Sequence, residues 1–552
     1  MPSDLTHLLQ DLLDRVAAAE PVLATQLGMA AHAGAMPDYS APALRTYVDA
    51  IKPLLTDLDR LAADPAAAPA DAIEASTGAQ IARRVVRTYE TRRVQRDQPT
   101  LYLDATYGVL LLMIKDVVPA GERVEALAGR LRAVPALLEE AAANLADELP
   151  APYVRSALDD VPGVRELVGE TAPAFAAALG APGALDEPGR LAAGAVERFG
   201  ALLRDHYLPR AVPDVAAGRD LLVEILEQEY LLEETPEQIA AYGRRMVDET
   251  RAAMAERAAA MGFADVEAAV AAVQAEHPAL ADLLPSYRDA LAAARSFVVD
   301  HDLVTFAPGE RLVVEETPPP LRASLPFAAY EGPGPYEERQ QGHYWVTLPT
   351  PDLSPERLER ALSDHPFASM RPVGVHEAYP GHHVQISRAN RAPTLARRIA
   401  HIPDGGTLLV EGWAFYCEEM MEAQGFLADP GVRLMRLNDQ VWRACRVVID
   451  VELHLGRMSF AEAVDLLVEA VHMNRYEAEL ECRRYAEEPG QPLSYLIGRR
   501  EVQRLAAVYR RERSASLKSF HDELLRWGCA PPAAIAWGLG LGPRPKAARV
   551  SS

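Results

Sequence analysis

From residue 4 to about residue 300 the chain is a long succession of Ala, Leu, Glu and Arg, with apolar residues returning every three or four positions, as in Leu5, Leu8, Leu9, Leu12, Leu13 and Val16. These residue types lose little on entering a helix, and this spacing gives each helix one apolar stripe. The pattern predicts a mainly α fold. Pro and Gly clusters at 64–69, 150–152 and 180–183 mark the connections between helices. No fixed-period repeat points to a solenoid. Near residue 300 the character changes. Two short β-type runs, 311–314 and 343–348, lie among Pro and Gly, so a small sheet or hairpin is expected at about 311–350. Helical pattern resumes at Ser354-Pro355, a Ser N-cap before Pro at the first helical position. From Gly542 onward the sequence reads as a frayed tail.

The chemistry concentrates in His376-Glu377-Ala378-Tyr379-Pro380-Gly381-His382-His383. Two His and a Glu resemble the H-E-x-x-H zinc motif, but position i+4 from His376 is Pro380. On a regular helix His382 and His383 would stand about 9 and 10.5 Å along the axis from His376, too far to share one metal. Pro380-Gly381 can break the helix, since Pro removes a backbone donor and Gly tolerates unusual backbone angles. The break would bring His382 to the ligand position, with His383 as the alternate. A third ligand is expected from a following helix. Glu411 sits on an otherwise apolar helix face, where an unpaired carboxylate is costly. Metal ligation would answer that cost, and so would pairing with Arg443, Arg446 or Arg484. Glu418, seven residues on, shares the face and can accept a hydrogen bond from a ligand His.

Four motifs together resemble one family: His376-Glu377-x-x-Pro380-Gly381-His382-His383; Glu411-Gly412-Trp413-Ala414-x-Tyr416; Asp450-x-x-x-His454; and Arg484-Tyr485-x-x-x-Pro489-Gly490-Gln491-x-x-Ser494-Tyr495-x-x-Gly498. The family is the bacterial domain-of-unknown-function-885 family, whose members look like gluzincin metallopeptidases. Their fold is similar to thimet-oligopeptidase-type and thermostable-carboxypeptidase-type enzymes. The resemblance implies a large helical body with two lobes around a cleft: a helical lobe, residues 1–300, and a metal-binding catalytic lobe, residues 301–552. It implies one zinc per chain at His376, His382 and Glu411, with Glu377 as general base. Pro492 and Leu496 depart from the family pattern, which bears on substrate contacts near Tyr495 and not on the metal.

Physical reasoning assigns the remaining candidates. Tyr495 is the first choice to donate its hydroxyl to the oxyanion formed when water adds to a carbonyl, against the alternative of a core tyrosine. Tyr485 flanks the same Pro-Gly turn and could contact substrate. His454 could bind a substrate carbonyl or terminus, or support another residue. The run containing Tyr344 could hold an extended peptide along a strand edge, or be a stabilising hairpin. The expected activity is zinc-dependent hydrolysis of peptide or related amide bonds. The alternatives are a tailoring enzyme for one small metabolite and a non-catalytic helical binding protein. No G-x-S-x-G elbow, phosphate loop or dinucleotide fingerprint is present.

Charge and cysteine content bound the partners. With 56 Lys+Arg against 79 Asp+Glu the net charge is −23, which argues against nucleic acid and anionic membranes as partners. Acidic residues lining the cleft would favour cationic substrates. The four cysteines, Cys417, Cys445, Cys482 and Cys529, form no CxxC pair, and the N-terminus shows no basic, then apolar, signal pattern. The expectation is a cytoplasmic protein taking a peptide or small-molecule amide substrate, compatible with a homodimer.

Overall fold

The computed structural model describes residues 2–318, 322, 328–350, 353–399 and 406–546. Its elements follow the apolar periodicity. The first helix, Pro2–Ala19, buries Leu5, Leu9, Leu12, Leu13 and Val16. The helices Ala41–Ala63 and Pro69–Val86 form a hairpin across the expected break at 64–69, and helix Ala151–Glu166 starts directly after Pro150. Helix Pro355–Ser363 is capped by Ser354, whose Oγ accepts from the Arg357 amide at 3.4 Å. The expected tail is not frayed throughout: Arg544 bonds the Asp64 carbonyl at 3.0 Å and lies over the Trp537 ring, while residues 547–552 fall outside the described set.

Three large hydrophobic clusters organise the described residues. The first gathers residues between Leu5 and Tyr207, joined by Leu395, Ala396 and Ile399. In the second, helix Pro236–Ala260 lies along helix Pro430–His454; Gly243 allows the approach, since a methyl there would sit 2.9 Å from Val447 Cγ1. In the third, helix Leu280–Asp300 packs with residues from the 344–384, 409–432 and 502–535 stretches. The expected lobe boundary at residue 300 therefore coincides with no division between cores. Helices before residue 300 belong with those after it, and the change of partners falls near residue 210. Helix Thr407–Ala423 separates the second and third clusters, giving Leu408 and Phe415 to one and Leu409 and Trp413 to the other.

The β segment is a three-stranded mixed sheet of β1 (Arg311–Glu316), β2 (Ala328–Glu331) and β3 (Gln341–Val346). β3 is central: Tyr344 pairs with Val314 of parallel β1 and with Tyr330 of antiparallel β2. This corrects the expectation of a peptide-binding edge at 343–347, because both backbone edges of that strand are already bonded. Tyr344 itself is fully buried, with its ring 5.8 Å from that of Tyr287. The sheet's outer edges belong to β1, where Arg288 donates to the Val314 carbonyl, and to β2. Among the described residues no helix is long and apolar enough to cross a membrane. All four cysteines are buried and unpaired.

Candidate metal centre

Helix Phe367–Glu377 carries His376 and Glu377 on its last turn, and a second helix, His382–Ala389, begins at His382. Between them the chain turns through a cis Tyr379–Pro380 bond and Gly381. Gly381 is sterically required, because a Cβ there would overlap the carbonyl oxygens of His376 and Val375. Trp413 Nε1 braces the turn by donating to the Pro380 carbonyl at 2.9 Å. The helix break expected from Pro380-Gly381 thus brings His382 back beside His376, with ring centroids 4.8 Å apart.

Glu411 reaches the pair from helix Thr407–Ala423. Its Oε2 lies 3.5 Å from His376 Nε2 and 3.4 Å from His382 Nε2. A tetrahedral ion with bonds of 2.0–2.1 Å places its donors roughly 3.3–3.4 Å apart, so these spacings match two edges of one coordination tetrahedron. The same buried Glu411 oxygen has only these two long imidazole contacts and no hydrogen bond of good geometry, as a metal donor would. The three arginines considered as rivals are committed elsewhere: Arg443 to Asp439, and Arg446 and Arg484 to Glu481. A carboxylate oxygen of Glu377 lies within 4.8 Å of ring nitrogens of both histidines.

The electrostatics favour positive charge at this cluster. Burial depresses the His376 imidazole, but the Glu411 and Glu418 carboxylates outweigh it and hold its pKa at about 10. Burial pushes Glu411 up, yet His382 and His376 hold it far below the usual carboxylate range. Glu418, fully buried, accepts from His376 Nδ1 at 2.8 Å and leaves Nε2 facing Glu411, the orientation expected of it. His383 does not join the cluster: Nε2 is 2.6 Å from Glu310, and Nδ1 3.1 Å from the Tyr330 hydroxyl.

Tyr495 lies beside the centre, its ring nearly parallel to that of His376 at 6.2 Å. Its oxygen accepts from Gln491 Nε2 at 3.4 Å, which leaves its own proton available. Gly412 and Gly498 set this placement: a methyl on Gly498 would stand 2.7 Å from Gly412 Cα, so helices Thr407–Ala423 and Ser494–Arg513 touch backbone to backbone there.

Two expected site residues lie outside the centre. Tyr485 is fully buried, with its hydroxyl bonded to Glu481 at 2.6 Å, Arg446 Nε at 2.8 Å and Trp442 Nε1 at 2.9 Å, so nothing remains for a substrate. His454 is fully buried, bonds the Tyr485 carbonyl at 3.0 Å through Nε2, and is pulled down to about 4 by burial. The Asp450-x-x-x-His454 motif is structural. Asp450 accepts from the Gly490 and Leu493 amides at 2.9 and 3.0 Å, pinning the turn that leads to Tyr495. Sequence reasoning missed Glu310, which holds His383 and bonds Tyr379 at 3.2 Å, and Asp439, which neutralises Arg443; neither belongs to a local motif.

A sequence model of the family described as Bacterial protein of unknown function (DUF885) matches residues 21–537, and the chain belongs to that family. Two solved structures share the fold along nearly their whole length. A putative lipoprotein of unknown function from Shewanella oneidensis has 20% identity and a TM-score of 0.78, over 97% of this chain and 99% of its own. A putative lipoprotein from Colwellia psychrerythraea has 18% identity and the same TM-score, over 97% and 98%. An M32 carboxypeptidase from Deinococcus radiodurans R1 aligns at 12% identity with a TM-score of 0.40, over 98% and 95%, too loose a likeness to bear on function. No curated protein matches the chain.

Proposed function

We propose that this family member is a zinc-dependent hydrolase of peptide or related amide bonds. The observation that carries the reading is Glu411 Oε2 at 3.5 and 3.4 Å from His376 Nε2 and His382 Nε2, close to the edge lengths of a coordination tetrahedron, with the Glu377 carboxylate beside the two histidines. Zinc held by two imidazoles and a carboxylate supplies Lewis acidity that polarises a carbonyl and acidifies water. The remaining steps belong to the protein. Glu377 takes the proton of the attacking water and returns it to the leaving amine. Tyr495, its hydroxyl proton unclaimed, donates to the oxyanion that develops on the substrate carbonyl. Glu418 keeps His376 in the tautomer whose Nε2 is a donor to metal.

The test is Glu377→Gln, which preserves shape and removes the base. The variant should bind zinc as the parent does and lose roughly 10²–10⁴-fold in turnover of a mixed peptide and small-amide pool followed by mass spectrometry. Turnover within threefold of the parent would overturn the assignment of Glu377.

A further inference from the structure

We propose that Arg446 and Arg484 clamp a carboxylate of the substrate, so that cleavage falls within a few residues of a free carboxylate; this deepens the hydrolase reading and rests on it. The argument starts from charge. Glu481 Oε2 is shared by Arg446 Nη2 at 3.2 Å and Arg484 Nη2 at 2.9 Å, one carboxylate between two guanidiniums. The neighbouring Arg443 has Asp439 to itself at 3.0 Å. Glu488, exposed to solvent, also attracts Arg484. Two carboxylates, Asp439 and Glu481, thus stand in direct ion-pair contact with three guanidiniums, and the faces of Trp442, Tyr485 and Tyr495 lie against Arg446, a setting in which a further anion is welcome.

Donor count and position agree. Arg446 spends Nε on the Tyr485 hydroxyl and Nη2 on Glu481, while Arg484 spends Nη1 on Gln491 at 3.4 Å and Nη2 on Glu481. Arg446 Nη1 and Arg484 Nε remain as donors for an incoming carboxylate, one charge-assisted bond from each guanidinium. The Arg484 side chain is 35% exposed although its helix neighbours Arg483 and Tyr485 are buried. Arg446 lies 4.6 Å from the Tyr495 ring centre, and that ring lies 6.2 Å from the His376 ring, so the guanidinium is at most about 11 Å from the His376 ring. At roughly 3.3–3.6 Å per extended residue, a span bounded in this way leaves room for no more than a few residues between the carboxylate and the scissile bond. Gln491 links Arg484 to the Tyr495 hydroxyl, coupling the clamp to the oxyanion donor.

The experiment separates binding from turnover. A pool of tetrapeptides, each made as free acid and as C-terminal amide, with amides ending in Glu as a further set, is equilibrated with the zinc-loaded Glu377→Gln protein. Bound peptides are quantified by dialysis and mass spectrometry. Free acids should bind at least 30-fold tighter than their amides; Arg484→Gln in the same background should abolish the preference, and Arg484→Lys should restore part of it. Glu-ended amides binding like free acids would assign the clamp to a side-chain carboxylate and still support it. Equal binding of acids and all amides would overturn the clamp. Strong acid preference with no hydrolysis by the parent protein would uphold the clamp and defeat the hydrolase reading.

Discussion

Replacing Gly498 by Ala puts the positioning of the metal centre under direct test. A methyl there would overlap the Leu408 carbonyl and stand 2.7 Å from Gly412 Cα. Neither neighbour is the movable end of a side chain, so helices Thr407–Ala423 and Ser494–Arg513 must separate by about 1 Å to restore normal contact. Overpacking of this kind costs about 1–3 kcal/mol. The displacement also acts where the chemistry is built. Glu411 precedes Gly412, and Tyr495 lies one turn before Gly498, so the 3.4 and 3.5 Å donor spacings must open. Ligand distances tolerate only about 0.2 Å. Zinc affinity, read by competition with a chromophoric chelator, should therefore fall at least tenfold, and urea unfolding of the metal-free protein should show the 1–3 kcal/mol loss. Gly121→Ala is the control: it lies in a helix with nothing within 4 Å of a new methyl, and it should gain up to about 1 kcal/mol with no change in zinc affinity. Unchanged zinc affinity in Gly498→Ala would refute the claim that this helix contact sets the ligand geometry.

Removing the acceptor behind His376 with Glu418→Ala should weaken zinc binding about 10–100-fold at pH 8, whereas Glu418→Gln, which keeps an oxygen acceptor, should lose less than tenfold; equal loss in both would mean that charge, not the hydrogen bond, is what Glu418 supplies. Burial pulls His521 down to about 4, with its bond to the Leu303 carbonyl opposing, and its other nitrogen lies 3.0 Å from the Tyr416 hydroxyl. A folded-state pKa below the unfolded value of about 6.5 means the unfolded chain binds more protons, so this stabilisation is complete above pH 6.5 and is lost as pH falls toward 4. His521→Gln, which can keep both bonds without titrating, should flatten the decline in unfolding midpoint between pH 6.5 and 4.5; an unchanged slope would dismiss His521 as a contributor.

What the sequence made legible depended on how local the cause was. The break at Pro380-Gly381 follows from two adjacent residues, and it predicts the return of His382 to His376. Glu411 was readable because a carboxylate on an apolar helix face needs a reason to be there. The choice between His382 and His383 was not readable, since it turns on Glu310 and Tyr330, which reach His383 from remote segments. Strand order was hidden for the same reason: 341–346 has the same β pattern whether it is an edge or the centre, and only its pairing on both sides shows which. Tyr485 and His454 share a motif with Tyr495, but that motif serves the turn at Gly490 as much as the cleft, so proximity in sequence exaggerated their role. Glu411 escaped its three candidate arginines because Asp439 and Glu481 take them first, a matter of counting partners that no single segment records.

The net charge of −23 acquires a different consequence from the one composition suggested. Were the cleft lined by the acidic excess, cationic substrates would be drawn in. The charges near the centre are instead of mixed sign: Glu377 stands with the two histidines, Arg443 pairs with Asp439, and Arg446 and Arg484 share Glu481. The long-range field and the local site then oppose each other for an anionic substrate. At 0.01 M salt, where screening extends over about 30 Å, the acidic surface should slow the approach of an N-acetylated free-acid peptide; at 0.2 M the field is confined to under about 10 Å while the clamp, partly buried, is weakened less. The kcat/KM of such a peptide should therefore rise about two- to tenfold across that range, and that of its C-terminal amide should hardly move. A fall with salt for the acid would mean that the arginine pair governs approach as well as capture, and that the acidic surface lies too far from the cleft mouth to matter.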